Sequence, residues 1–242
     1  MVITSIENKI IKEFKKLEQK KYRDSNNMFL IEGKHIIEEA YKTCYLEEII
    51  VSEDEYYDLD IKTTIVSNKV INYLSSLENN DGVIGICRKL KNNAIGNNIL
   101  LLDNIQDPGN LGTIIRSAVA FNINTIILGK GTVDLYNPKV LRSTQGLIFK
   151  INIIETDLLE IILKLKKDNY KIIGTDVNNG SDLKEYSSIG KYALIMGNEG
   201  HGLSNEIKSL CDDYIYIKLN KECESLNVGI ACSIILYQLN KE

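Results

Sequence analysis

Short apolar runs alternate with helically spaced apolar positions along most of the chain, and this alternation predicts an α/β fold. Near the N-terminus, Ile6, Ile10, Phe14 and Leu17 recur at helical spacing. Phe29–Ile31 reads as a strand closed by Glu32-Gly33, Lys34–Tyr41 as a helix, and Glu48–Val51 and Thr63–Val66 as strands. Ser67 caps a helix running to Leu74, and Val83–Cys87 makes a fourth strand. The next stretch, Lys89–Asn98, is polar and aperiodic and reads as a linker. The expected division is a first unit over 1–90, a linker over 91–98 and a second unit over 99–242.

The second unit opens on Ile99–Leu102, a continuous apolar run of the kind buried in parallel sheets. Gly109–Phe121 and Asp157–Asn169 have helical spacing, Pro138–Thr144 reads as a short helix, and Phe149–Ile154 reads as a strand. Thr125–Leu128, Lys171–Thr175, Tyr192–Met196 and Tyr214–Ile217 complete the strands. The chain closes on a helix with Ser225 as the expected N-cap and apolar residues at Leu226, Ile230, Ala231, Ile234, Ile235 and Leu239. That pattern predicts a doubly wound sheet, whose ligands bind at the carboxyl ends of the strands.

Composition narrows the class. An apolar share of 44% in 242 residues suffices for a sizeable core. No apolar run is long enough to span a bilayer, and the N-terminus shows no signal-peptide pattern. Five cysteines without a C-x-x-C pair point to reduced thiols and a cytoplasmic setting, with Cys232 a core residue. Two histidines make a zinc site unexpected. The net charge of −4 argues against bulk nucleic-acid affinity. Residues 1–23 nevertheless carry seven basic side chains against three acidic ones. Such a run is either a solvated helix face or a phosphate-contacting patch.

Two polar–glycine clusters follow directly after predicted strands. Asp103–Gly112, running on to Arg116, is dense in Asx, Gly and Pro, and Arg116 interrupts an otherwise apolar helix. Gly197–Leu203 holds three glycines in six residues, which permits close backbone approach to a ligand. It is not a G-x-G-x-x-G dinucleotide fingerprint. A third cluster, Ser225-Leu226-Asn227, sits at a helix N-terminus where backbone N–H groups point outward.

Together these clusters resemble the SpoU (TrmH-like) branch of the SPOUT RNA 2′-O-ribose methyltransferases. The family's D-P-x-N-x-G-x-x-x-R motif is matched by Asp107, Pro108, Asn110, Gly112 and Arg116, and its G-x-E-x-x-G-L motif by Gly197, Glu199, Gly200, Gly202 and Leu203. Its S-L-N-V-x-x-A motif is Ser225–Val228 with Ala231, and Arg142–Gly146 fits an intermediate motif. The first unit is similar to the ribosomal-protein-like substrate-binding domain that often precedes this one. The chain departs from the family at Lys218 and Leu219, where proline and methionine are usual, in the loop Asn220–Glu224, and at Asn152.

The resemblance implies an α/β, parallel-sheet SPOUT domain with a trefoil knot, a rare exception to unknotted topology. It implies S-adenosylmethionine as cofactor, held near Thr175, Gly197, Ile217 and Leu226, and no metal. The acceptor would be a ribose 2′-hydroxyl of RNA, with ribosomal RNA favoured over tRNA. Asn110, Arg116, Glu199, Ser225 and Asn227 would be the catalytic and positioning residues, with Glu199 holding Arg116 or a loop amide. A homodimer is implied, with Arg116 serving the partner's cofactor. The competing class is a knotted RNA-binding protein without catalytic activity.

Overall fold

A computed structural model describes residues 2–177, 180–186 and 190–240. Its contacts group the chain into two units, residues 1–91 with 145–150, and residues 92–144 with 151–242.

The first unit contains α1 (Lys9–Lys16), α2 (Lys20–Asn26), β1 (Met28–Glu32), α3 (Lys34–Lys42), β2 (Leu46–Ser52), β3 (Lys62–Val66), α4 (Asn68–Leu74) and β4 (Val83–Arg88). The strands form a sheet in the order β1-β4-β2-β3, with β4 antiparallel to both neighbours and β2 parallel to β3. Ile11, Leu17, Ile50, Val70, Ile71 and Ile84 build the core between this sheet and α1 and α4. Ile6, Phe14 and Leu17 pack against this core as their spacing predicts, but Ile11 is fully buried in place of Ile10, which is half exposed. The helix ends at Lys16, and a second one starts at Lys20.

The basic run divides accordingly. Arg23 is buried, and its Nη1 donates to the carbonyls of Leu17 and Glu18, closing the C-terminal end of α1. Lys12, Lys15 and Lys16 pair with Glu7, Glu18 and Glu13. Such exposed pairs add little to stability and weaken as salt is raised.

Residues 145–150 lie within the span read from sequence as the second unit, yet they pack as part of the first. Phe149 stacks on Phe29 and Tyr45, at centroid separations of 6.4 and 5.4 Å. Leu147–Lys150 is consequently a 3₁₀ turn, and the strand expected from Phe149 begins only at Asn152. Gly146 has φ +80°, and a Cβ there would lie 2.7 Å from the Glu39 Cβ, so this turn requires glycine.

Lys150 closes the segment with an ion pair to Glu39 at 2.5 Å, and Lys42 adds a second at 2.9 Å. Hydrogen bonds from Lys150 and Lys42 hold the Glu39 carboxyl down at about 2, against an ordinary 4.5. A depressed folded-state value means that this stabilisation is present above pH 4.5 and is lost as pH falls towards 2. Urea midpoints measured across that window should therefore fall less steeply for Glu39→Gln than for the native chain. Parallel slopes would show that the two lysines do not bias the carboxylate.

The second unit contains β5 (Asn98–Leu102), α5 (Pro108–Ala120), β6 (Thr125–Leu128), α6 (Pro138–Thr144), β7 (Asn152–Glu155), α7 (Leu158–Lys167), β8 (Lys171–Thr175), β9 (Ser181–Asp182), β10 (Tyr192–Met196), α8 (Asn205–Lys208), β11 (Asp213–Tyr216) and α9 (Val228–Leu239). The described strands form one parallel sheet in the order β7-β6-β5-β10-β8-β11-β9. The run Ile99–Leu102 is wholly buried, as a continuous apolar strand should be. β9 and α8 have too few residues to show periodicity, and the hydrophobic pattern predicts neither.

Asn152, where the family usually has proline, is buried at the start of β7. Its side chain accepts from the Asn93 N–H at 3.0 Å and donates to the Asn93 carbonyl and the Thr125 hydroxyl. The amide thus ties the polar segment before β5 to the sheet, a role that proline could not fill.

Candidate active site

The sheet order places the clusters. β5 and β10 are neighbours in register, with Leu102 opposite Met196, so the loops that follow them leave the sheet side by side. β8 and β11 lie next in the same sheet and bring Thr175 and the segment after Tyr216 to the same edge. Residues more than a hundred positions apart in sequence therefore meet at one carboxyl edge.

The first two loops are stitched to each other. The Asp103 carboxylate accepts from the Ser204 N–H at 3.0 Å, and the Asn198 side chain donates to the Asn104 carbonyl at 2.8 Å. Asn198 and Gly202 exchange two backbone hydrogen bonds of 3.0 Å, folding the second loop back on Gly197. A Cβ at Gly197 would lie 2.3 Å from the Gly202 carbonyl carbon, so only glycine permits this closure.

Asp107 caps α5 by accepting from the Asn110 N–H at 2.8 Å, and Pro108 takes the first helical position. The Asn110 side chain then joins all three motifs. Its Nδ2 donates to Glu199 at 2.9 Å, and its Oδ1 accepts from the Asn227 Nδ2 at 2.8 Å. Asn227 in turn accepts from the N–H groups of Gly229 and Ile230, so it is Asn227, not Ser225, that caps the last helix. The helix consequently starts at Val228, and Ser225 and Leu226 lie in the loop before it.

Glu199 accepts from Asn110 and from the backbone N–H groups of Gln106 and Asp107. Partial burial opposes its ionisation, but these bonds together outweigh that and hold the carboxyl below its ordinary value. It is therefore a loop-amide holder; no ion pair to Arg116 forms among the described residues. Arg116 is exposed on α5 and has no hydrogen-bond or ion-pair partner among the described residues.

Beside this network lies a cavity of about 220 Å³. Thr175, Gly197, Glu199, Ile217, Ser225 and Leu226, all singled out from sequence, line it. Asn110, Asn227 and Arg116 do not; the two asparagines support its wall. Sequence reasoning missed Asp176, Ile215, Val228 and Ile235, which also line it. Helical spacing marks Ile235 only as apolar, and Asp176 follows a strand end as Asp103 does, so local pattern does not single it out. The apolar walls and carboxylate rim suit an aromatic group joined to a cation, as in S-adenosylmethionine.

Comparison with known proteins matches residues 97–237 to the SpoU rRNA Methylase family and residues 8–85 to an MRM3-like substrate binding domain. The chain belongs to the SpoU rRNA methylase family. A family relative from Bacillus subtilis (strain 168), the 23S rRNA (guanosine(2553)-2′-O)-methyltransferase RlmP, is 37% identical over 98% of both chains. Among solved SpoU-like structures, an AdoMet-bound rRNA methyltransferase from Sinorhizobium meliloti superposes with a TM-score of 0.85 at 26% identity, covering 98% of this chain and 96% of that one. An RNA 2′-O ribose methyltransferase structure gives 0.84 at 29% identity, covering 98% and 97%.

Proposed function

We propose that this SpoU methylase transfers a methyl group from S-adenosylmethionine to a ribose 2′-hydroxyl of ribosomal RNA, within a homodimer in the cytoplasm. The observation that carries this reading is the Glu199–Asn110–Asn227 chain of hydrogen bonds, which joins the three family motifs along the wall of a cavity that fits the cofactor. The RlmP relative is matched over both units, which favours large-subunit ribosomal RNA and a guanosine acceptor.

When bound, the cofactor supplies an electrophilic methyl on a sulfonium. The chain's own residues supply placement, which is worth up to roughly 7–11 kcal/mol in well-oriented systems. Gly197, Ile217 and Leu226, with Thr175 at the adjacent strand end, hold the cofactor. Glu199 orients Asn110, and Asn110 orients Asn227. Ser225 keeps an exposed hydroxyl, available to the substrate. Arg116 offers a positive charge on a planar fork of donors, and its role is that of a cation. It stabilises the developing alkoxide or holds the adjacent phosphate.

The dimer rests on α9. Val228, Gly229, Cys232, Ile235 and Leu236 are buried, while Ile230 is 51% and Tyr237 67% exposed, with Ile234 between them on the same outward face. α5, which carries Arg116, packs against α9, with the Ser117 and Ser233 hydroxyls 2.6 Å apart. The same proposal has Arg116 of one copy serving the cofactor of the other. The trefoil knot implied by the family belongs to the same proposal.

Mapping 2′-O-methylation in ribosomal RNA from cells with and without the protein tests the function. One site lost on deletion, and restored by the native chain, is expected. An unchanged map, with RNA binding intact, would favour the non-catalytic RNA-binding class.

A further inference from the structure

The charged side chains around the cavity are all of one sign. Asp176, Glu199 and Glu224 line it, and no lysine, arginine or histidine does so among the described residues. Two of the three carboxylates are already engaged. Asp176 is largely buried and faces the Lys208 ammonium at 3.6 Å. Glu199 accepts from Asn110 and two backbone N–H groups. Glu224 differs: it is exposed, and it has no hydrogen bond or ion pair among the described residues. It stands in the loop before α9, next to Ser225 and Leu226, which line the same cavity. Much of the remaining lining is apolar, including Ile215, Ile217, Leu219 and Val228. Glu224 is exposed, so it draws a cation as a surface charge does, modestly and with a dependence on salt.

We propose that Glu224 is a charge-selecting residue of this cavity, favouring the cationic sulfonium of S-adenosylmethionine over the neutral thioether of the demethylated product. This rests on the methyltransferase reading. The two molecules share the adenosine, the ammonium and the carboxylate, and differ by one methyl and one positive charge. Apolar contacts cannot tell them apart by more than that methyl. A carboxylate near the sulfur adds a charge-dependent preference, which helps the product leave after each turnover.

Calorimetric titration of the full chain with three probes tests this: S-adenosylmethionine, S-adenosylhomocysteine, and an analogue bearing an amine in place of the sulfonium. Glu224→Gln is expected to weaken the two probes charged at that position by roughly two- to fivefold, the range of a partly exposed charge pair. Affinity for S-adenosylhomocysteine should be unchanged, and the native preference should narrow as salt is raised. Glu224→Asp should recover part of the preference. Equal weakening of all three probes would place Glu224 on the shared ammonium and overturn the proposal, as would no change in any. A native chain that binds none of the three would instead remove the methyltransferase reading itself.

Discussion

Arg116→Ala is expected to lower methyl transfer by roughly 10²–10³, the usual loss when one preorganised group that stabilises developing charge is removed. Cofactor affinity should be unchanged, because the charge that Arg116 stabilises belongs to the acceptor oxygen or its phosphate and not to the cofactor. Stability should change little, since the side chain is exposed and without a polar partner among the described residues. Arg116→Lys should also lose most of the activity, because an ammonium lacks the planar fork of the guanidinium. Near-native turnover in the lysine variant would show that charge alone suffices.

Where the arginine acts is tested by mixing two inactive variants, Arg116→Ala and Leu226→Arg. The second places a bulky cation on the cavity wall, where it excludes the cationic cofactor. If Arg116 serves the partner's cofactor, a mixed dimer holds one complete site and recovers roughly half the activity of a native dimer. If it serves its own chain, both sites in the mixed dimer are broken and activity stays at background.

The second large effect is expected at Gly197. A Cβ there would meet backbone atoms of Gly202 and Leu203 at 2.3 to 2.6 Å, and backbone cannot rotate away as a flexible side chain can. The loop must open, which separates Glu199 from Asn110 and distorts the cavity wall. Overpacking of this kind costs about 1–3 kcal/mol, equivalent to roughly 5- to 150-fold in cofactor affinity if the site carries it all. Gly200→Ala is the control, since the nearest atom to its added Cβ is the Asn198 Oδ1 at an ordinary 3.6 Å. Calorimetry should show cofactor binding lost or much weakened for Gly197→Ala and near native for Gly200→Ala. Equal affinities would mean that the loop absorbs the methyl and that its closure does not shape the site.

The three motifs are legible in the amino-acid order itself, because each carries residues with a local reason to be where they are. Asp107-Pro108 begins a helix, Gly197 permits a reversal, and Asn227 caps a helix. The alternation of buried runs and helical spacing likewise places most of the strands from Ile99 to Tyr216. The misplacements are instructive. Ser225 is a good capping residue in front of an apolar helix, which is why local pattern favours it as the N-cap. Asn227 takes the cap because Asn110 fixes its amide, and Asn110 is distant in sequence. Glu199 could have paired with Arg116, but the sheet brings the Gln106 and Asp107 amides to it instead. Phe149 has the apolar neighbours of a strand, yet aromatic stacking on Phe29 and Tyr45 holds it in a turn of the first unit.

Local sequence thus decides most of which segments become strand or helix and which loops carry chemistry, since periodicity, capping residues and turn residues act over a few positions. Which loops meet is settled by tertiary packing. Strand order is set by burial and pairing between segments far apart, and no local pattern encodes that β10 inserts between β5 and β8. From that one choice follow the bond from Asn110 to Glu199, the Asn227 cap, the Arg116 left to solvent and the carboxylate-lined cavity.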